Sequence, residues 1–168
     1  MPKTIADEHV ALVAFDSPPA DPAAITDDEW NAATPLQCRI MDYRLSPTDP
    51  DTVQQAELCT GSNAQVPTRS NYEGSVIVFR YLDADGKPAD TEDAVYDLFR
   101  EKGTALYLAD REGPEQDAEG EAGQEYSYFE VLTSDPKKPT DRGGYVRRES
   151  TLYVQKAYLD KVLVAAES

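Results

Sequence analysis

The chain of 168 residues is long enough for one domain with a sizeable core, and its 40% apolar content is above that of a disordered chain. It carries 32 acids against 16 bases, a net charge of −16 and a pI near 4.3. Such a surface repels phosphate, which excludes tight duplex binding through a basic face.

The first nine residues, MPKTIADEH, lack a charged-then-apolar leader, and no apolar run approaches the ~20 residues that span a bilayer. The expectation is a soluble product made in the cytoplasm, without cleavage or membrane insertion. Val10, Leu12 and Ala14 then alternate with Ala11, Val13 and Phe15, apolar on both faces, as in a strand covered on both sides. A Pro/Ala loop follows. Thr26, Asp27, Asp28 and Glu29 form a capping box that starts a single helical turn, with Trp30 placed to plug one end of the core. Leu36, Cys38 and Ile40 alternate with Gln37 and Arg39, which predicts a one-sided strand over 36–40 with Cys38 inward, buried and reduced. Cys38 and Cys59 are the only cysteines and show no metal-binding spacing, so both read as small apolar residues.

A weaker strand is predicted over 52–58 and a firmer one over 76–82. Residues 90–102 carry the one long helical signal: Asp90 as cap, Glu92 and Asp93 early, Arg100 and Lys102 late, Gly103 as stop. Ala94, Val95, Leu98 and Phe99 form its apolar stripe. Further strands are predicted at 105–111, 125–133, 146–158 and 162–165, making eight. In the long one, Val146, Arg148, Ser150, Leu152, Val154, Lys156 and Tyr158 share a face. Ten tyrosines, mostly in these segments, suit β structure. The fold class is mainly β with one flanking α-helix, in a single domain over residues 1–168.

Charge is segregated along the chain. From 110 to 130 lie Asp110, Glu112, Glu115, Asp117, Glu119, Glu121, Glu125 and Glu130, with Arg111 the one base. From 135 to 149 the sign reverses, with Lys137, Lys138, Arg142, Arg147 and Arg148 against Asp135, Asp141 and Glu149. The plain reading is two solvated loops of opposite sign. The sharper reading is a subunit with complementary ends, whose inter-subunit contacts come from Glu112, Glu115, Asp117, Glu119 and Glu121 on one side. Lys137, Lys138, Arg142, Arg147 and Arg148 serve on the other.

Catalytic patterns are weak. The sole histidine, His9, precedes the first strand, and no GxSxG elbow presents a serine to it. Neither GxGxxG nor GxxxxGK[ST] occurs. Asp83, Asp85, Gly86 and Glu92 fit four positions of a calcium loop, but Tyr81 stands where its first carboxylate belongs and a strand stands where its first helix belongs. An Asp-Gly turn explains the same residues. No cofactor is expected.

The stretch HVALVAFDSPPADPAAITDDEWNAATPLQCRI resembles the opening of the tail tube (major tail) proteins of long-tailed phages that infect actinobacteria. The likeness continues through KGTALYLADREG, where Gly103, Thr104, Tyr107, Leu108, Arg111 and Gly113 fall on the recognisable positions, and into the final strands. Two departures are Ala33 in place of a glycine and a loop 112–124 that is longer and more acidic. The resemblance implies a β-sandwich or barrel-like fold with a flanking helix, in a structural protein that is not an enzyme. It implies six-copy rings stacked into a tube around a tape measure protein, alongside other tail proteins, in a virion tail assembled in the host cytoplasm. Double-stranded DNA would pass through the bore. An acidic wall suits that task, since a phosphate held by Lys or Arg would have to be released for movement. The alternatives are a monomeric acidic binding module (a DNA mimic or calcium-assisted binder) and an enzyme using a carboxylate of strongly raised pKa.

Overall fold

The structure, a computed structural model, describes residues 1–54 and 65–167. Cys59 and the far end of the predicted 52–58 strand lie outside those residues. The described elements are β1 (Val10–Phe15), α1 (Asp27–Ala32), β2 (Thr34–Pro35), β3 (Ile40–Thr48), β4 (Thr52–Gln54), β5 (Gln65–Pro67), β6 (Asn71–Phe79), α2 (Ala94–Asp97), β7 (Ala105–Glu112), β8 (Glu125–Thr133) and β9 (Arg147–Val162).

Seven strands form one antiparallel sheet in the order β2-β1-β7-β8-β9-β6-β3, while β4 and β5 pair separately. Its two edge strands, β2 and β3, are joined by only residues 36–39. At most ~3.8 Å per residue separates consecutive Cα atoms, so the edges lie within about 20 Å and the sheet must curl. It forms a half-barrel. Tyr43 on β3 confirms the closeness: its hydroxyl donates to Asp110 on β7 at 2.9 Å, across the opening.

Both faces of the central strands are covered, as the two-sided pattern of β1 predicts. Leu12 and Ala14 face the inside of the curl, with Leu106, Leu108, Phe129, Val131 and Leu152, against Val76 and Val78 of β6 and Val95, Tyr96 and Phe99 from around α2. Ala11 and Val13 face the opposite way, with Ala109, Tyr126 and Tyr128, and are covered by Ile25, Trp30 and Leu163. Trp30 is placed there by α1, whose capping box at Thr26 is formed in full. Tyr126 ties this layer down, accepting from the Ile25 amide and donating to the Pro22 carbonyl.

Four expectations are corrected. First, no strand runs over 36–40. Leu36 is buried and bonded to Leu12, but residues 37–39 form the turn that crosses between the sheet edges, with the Arg39 amide bonded to the Leu36 carbonyl. Cys38 sits in that turn and is exposed. Second, the helix over 90–102 shrinks to α2. Asp93, expected as an acid in the first helical turn, instead precedes α2 with its carboxylate buried, accepting from Arg80 Nε at 3.0 Å, Arg80 Nη2 at 2.9 Å and the Tyr81 amide at 2.9 Å. Beyond Asp97 the chain tightens into three-residue turns as Phe99 is drawn into the core. Third, no separate strand spans 162–165, since β9 runs on to Val162. Fourth, the predicted shared face of β9 breaks at a register shift opposite Glu130/Val131. Leu152 and Val154 face the inside of the curl, whereas Tyr158 packs on the outer layer against Tyr128.

Candidate functional site: the two charged ends of the sheet

The acidic loop 112–124 connects β7 to β8, and the basic segment 134–146 connects β8 to β9. They therefore leave opposite ends of one nine-residue strand. At ~3.3 Å per residue these ends stand roughly 30 Å apart.

At the acidic end, Glu112, Glu115, Asp117, Glu119 and Glu121 are all exposed. Their loop is nonetheless fastened to the body. The Gly113 amide donates to the His9 carbonyl, Gln116 to Glu8, and Gly123 to Leu163. His9, the sole histidine, is half-buried, and its Nδ1 donates to the Gly113 carbonyl at 2.8 Å. Asn31 exchanges two bonds with Gly120, and Gln37 donates to the Gln116 carbonyl. A side chain at Gly120 would not fit, as its Cβ would lie 2.5 Å from Trp30 Cδ1.

Beneath the loop lies Arg111, only 2% exposed. Its Nη1 donates to the Glu119 carbonyl at 3.1 Å and to Gln124 Oε1 at 2.8 Å. Nη2 donates to the carbonyls of Glu115 at 3.3 Å and Ala118 at 2.7 Å. The guanidinium also stands 5.4 Å from the Trp30 ring centroid, a cation–π distance. No carboxylate among the described residues pairs with it directly; burial pulls its pKa down, and the Glu121 charge works against that. The acidic loop is thus wrapped around a buried cation through its main chain, which leaves its carboxylates pointing out.

A cleft beside this end is lined by Asp110, Glu112, Glu125 and Asp160 with Leu45 and Phe129. Burial pushes the Asp110 carboxyl up to about 6; the Tyr43 hydrogen bond opposes the shift, and the Glu112 and Asp160 charges add to it. No grouping of these acids suits a metal ion among the described residues. Asp83, from the sequence's calcium-like pattern, spends its Oδ1 on the Asp85 and Lys87 amides, closing the Asp-Gly turn with Gly86 at φ +79°.

At the basic end, Lys137, Lys138 and Arg142 are exposed, while Arg147 and Arg148 are half-buried. Arg147 holds its own loop, donating to the carbonyls of Gly143, Tyr145 and Asp141. Arg148 Nη1 donates to the Arg147 carbonyl. Lys137 joins Glu149 by a two-bond backbone bridge. None of the ten predicted contact residues is in an ion pair among the described residues; the pairs present involve Arg44, Arg80, Arg100 and Lys156. The five acids and Lys137, Lys138 and Arg142 thus keep exposed charged groups, while Arg147 and Arg148 are engaged with main-chain carbonyls. Sequence reasoning assigned no role to Arg111, although it was visible as one base among eight acids. It also missed the Tyr43–Asp110 bond, which has no local signal.

No curated protein matches the chain. Among solved structures it is similar to the SPP1 tail tube determined by solid-state NMR and cryo-EM. The TM-score is 0.58 at 11% identity, over 94% of this chain and 78% of that one. That similarity is one of fold, a curled antiparallel sheet. The family model for phage tail tube proteins matches residues 1–167. On that match, which runs almost the whole length of the sequence, the chain belongs to the phage tail tube protein family.

Proposed function

We propose that this subunit, one tail tube domain over residues 1–168, assembles into six-membered rings that stack through their charged ends. The resulting tube surrounds a tape measure protein, joins other tail proteins in the virion tail and later conducts double-stranded DNA. Assembly takes place in the cytoplasm of an actinobacterial host, and the protein has no catalytic activity of its own. One observation carries the stacking: acidic and basic segments leave opposite ends of β8, with all ten of their predicted contact residues free of ion pairs among the described residues. Ring closure is supported by β3, which has a strand partner on one side only among the described residues. Pairing that edge with a neighbouring sheet removes its open backbone groups. The net charge of −16 supports a wall that does not hold DNA.

Negative-stain microscopy of the purified protein tests the assembly. Six-fold rings and hollow tubes are expected; a monodisperse monomer at high concentration would favour the acidic binding module instead. The K137E/K138E/R142E variant tests the ends. Exposed pairs contribute only ~0–1 kcal/mol each, so the loss is felt through repetition around a ring. Tubes of that variant forming at the parent's concentration and salt would make the patches spectators.

A further inference from the structure

The basic end carries a feature that charge alone does not explain. Tyr145, at the tip of segment 134–146, is 82% exposed, and beside it Val146 and Leu82 are 49% and 42% exposed. Exposed aromatic side chains in a cluster mark interaction surfaces more often than single exposed apolar residues do. The tip is built, not slack. Arg147 donates to three carbonyls of the segment, Gly144 turns the chain at φ +78°, and the Tyr145 ring stands edge-on to Phe79 at 6.0 Å. The ring forms the shared wall of two clefts. One is mostly apolar, about 500 Å³, between Phe79, Tyr81, Leu82 and Ala89, with Arg80, Asp83 and Glu92 also lining it. The other is about 240 Å³ and runs among Lys138, Arg142, Arg147 and Arg148.

The acidic end has the matching composition. Val162 and Val164, 44% and 38% exposed, flank the buried Leu163 where the chain bonds to Gly123 and Gln124 of the acidic loop. Each end thus presents exposed apolar side chains next to a charged segment, acidic at one end and mainly basic at the other, where five bases stand against Asp135, Asp141 and Glu149. An apolar centre with a charged rim is the anatomy of a protein interface.

Resting on the stacking reading, we infer that Tyr145 is the anchor of the contact between successive copies. Its ring and the adjoining apolar cleft receive Val162 and Val164 of the next copy, while Lys138 and Arg142 face that copy's Glu119 and Glu121. The occupant is a second copy because the same chain supplies both the opposite charge and the apolar complement. The charges orient the approach, and the tyrosine fixes the register.

The test uses the full-length chain with Cys38 and Cys59 replaced by serine, and measures the polymer fraction by sedimentation and microscopy. Tyr145→Ser is expected to raise the concentration needed for tubes at least tenfold. Tyr145→Phe, which keeps the ring, is expected to polymerise like the parent. In the same background, Y145C together with V164C, assayed above the raised concentration that loss of the ring demands, is expected to give a ladder of disulfide-linked copies on oxidation, and either cysteine alone is not. The ladder decides the matter should Tyr145→Ser lower the unfolding midpoint of the monomer. Parent-like polymerisation of a stably folded Tyr145→Ser, or tubes without a ladder, overturns the anchor and leaves stacking through the charged ends standing. A parent chain that forms no tubes removes both.

Discussion

Arg111→Met is the sharpest perturbation of the acidic end, because it keeps a long unbranched apolar side chain and removes the guanidinium that stands over Trp30. Four hydrogen bonds from a charged donor disappear. At ~1.5–3 kcal/mol for each bond to a charged group the gross loss is about 6–12 kcal/mol. Two effects reduce it. Removing the guanidinium also removes the cost of burying it, the same cost that lowers its pKa. In addition, the freed carbonyls belong to the exposed Glu115, Ala118 and Glu119, so they can regain water when the loop opens. A net destabilisation of about 2–4 kcal/mol is expected, and at ~2–4 °C per kcal/mol for a chain of this size the midpoint falls by roughly 4–16 °C.

Thermal unfolding by circular dichroism measures the global change, and amide exchange at Gly113, Gln116, Gly120 and Gly123 reports the loop. Arg111→Lys should recover only part of the loss, since an ammonium cannot span four acceptors held in a fork. A midpoint within about 2 °C of the parent, with unchanged exchange at those four amides, would refute the view that Arg111 organises the loop.

Three further outcomes follow from the same geometry. Gly120→Ala forces a methyl group against Trp30, and overpacking of this kind costs about 1–3 kcal/mol; because Trp30 is the sole tryptophan, a shift in its fluorescence is expected alongside the lower midpoint. Asp93→Asn breaks the buried pair with Arg80 and should destabilise by about 3–5 kcal/mol in urea titration, a loss below about 1 kcal/mol being inconsistent with that pairing. Asp110 has a folded pKa near 6, above its ordinary 3.8, so the fold binds its proton more tightly than the unfolded chain does. Its contribution to stability is therefore present below the ordinary value and is lost as pH rises from about 4 through 6, by about 1–2 kcal/mol once its partial exposure is allowed for. Asp110→Asn, which can still accept from Tyr43, should flatten that part of the stability-versus-pH curve, and an unchanged curve would show that the group is not perturbed.

What could be read from the sequence was what nearest neighbours along the chain encode. The strand over 125–133 and the Thr26 capping box appear where patterning and cap chemistry place them, because each is specified within a few residues. The failures occur where a distant partner wins. Asp93 looked like the acidic start of a long helix, but Arg80, thirteen positions away, takes its carboxylate into the interior. Alternation at Leu36, Cys38 and Ile40 read as one strand, yet Leu36 is bonded to β1 at one sheet edge and Ile40 opens β3 at the other. No periodicity can report a crossover between edges that meet only because the sheet curls. The acidic loop read as a charge run of unknown order, since its order depends on carbonyls gathered by one side chain and not on the character of its own residues.

The two kinds of contact proposed for assembly draw on different physics, and this bears on why a strongly acidic chain can polymerise at all. Pairing at the β3 edge rests on backbone hydrogen bonds, which carry no charge and do not depend on salt. Stacking joins an acidic end to a basic one, so the two surfaces are unlike and the contact is head-to-tail. A head-to-tail contact that does not rotate back on itself continues without limit. Added salt then separates the two modes. The Debye length falls from ~10 Å at 0.1 M to ~3 Å at 1 M, which weakens the opposed ends while leaving edge pairing intact. On this reasoning high salt should convert tubes into shorter stacks and single rings, and not into monomers.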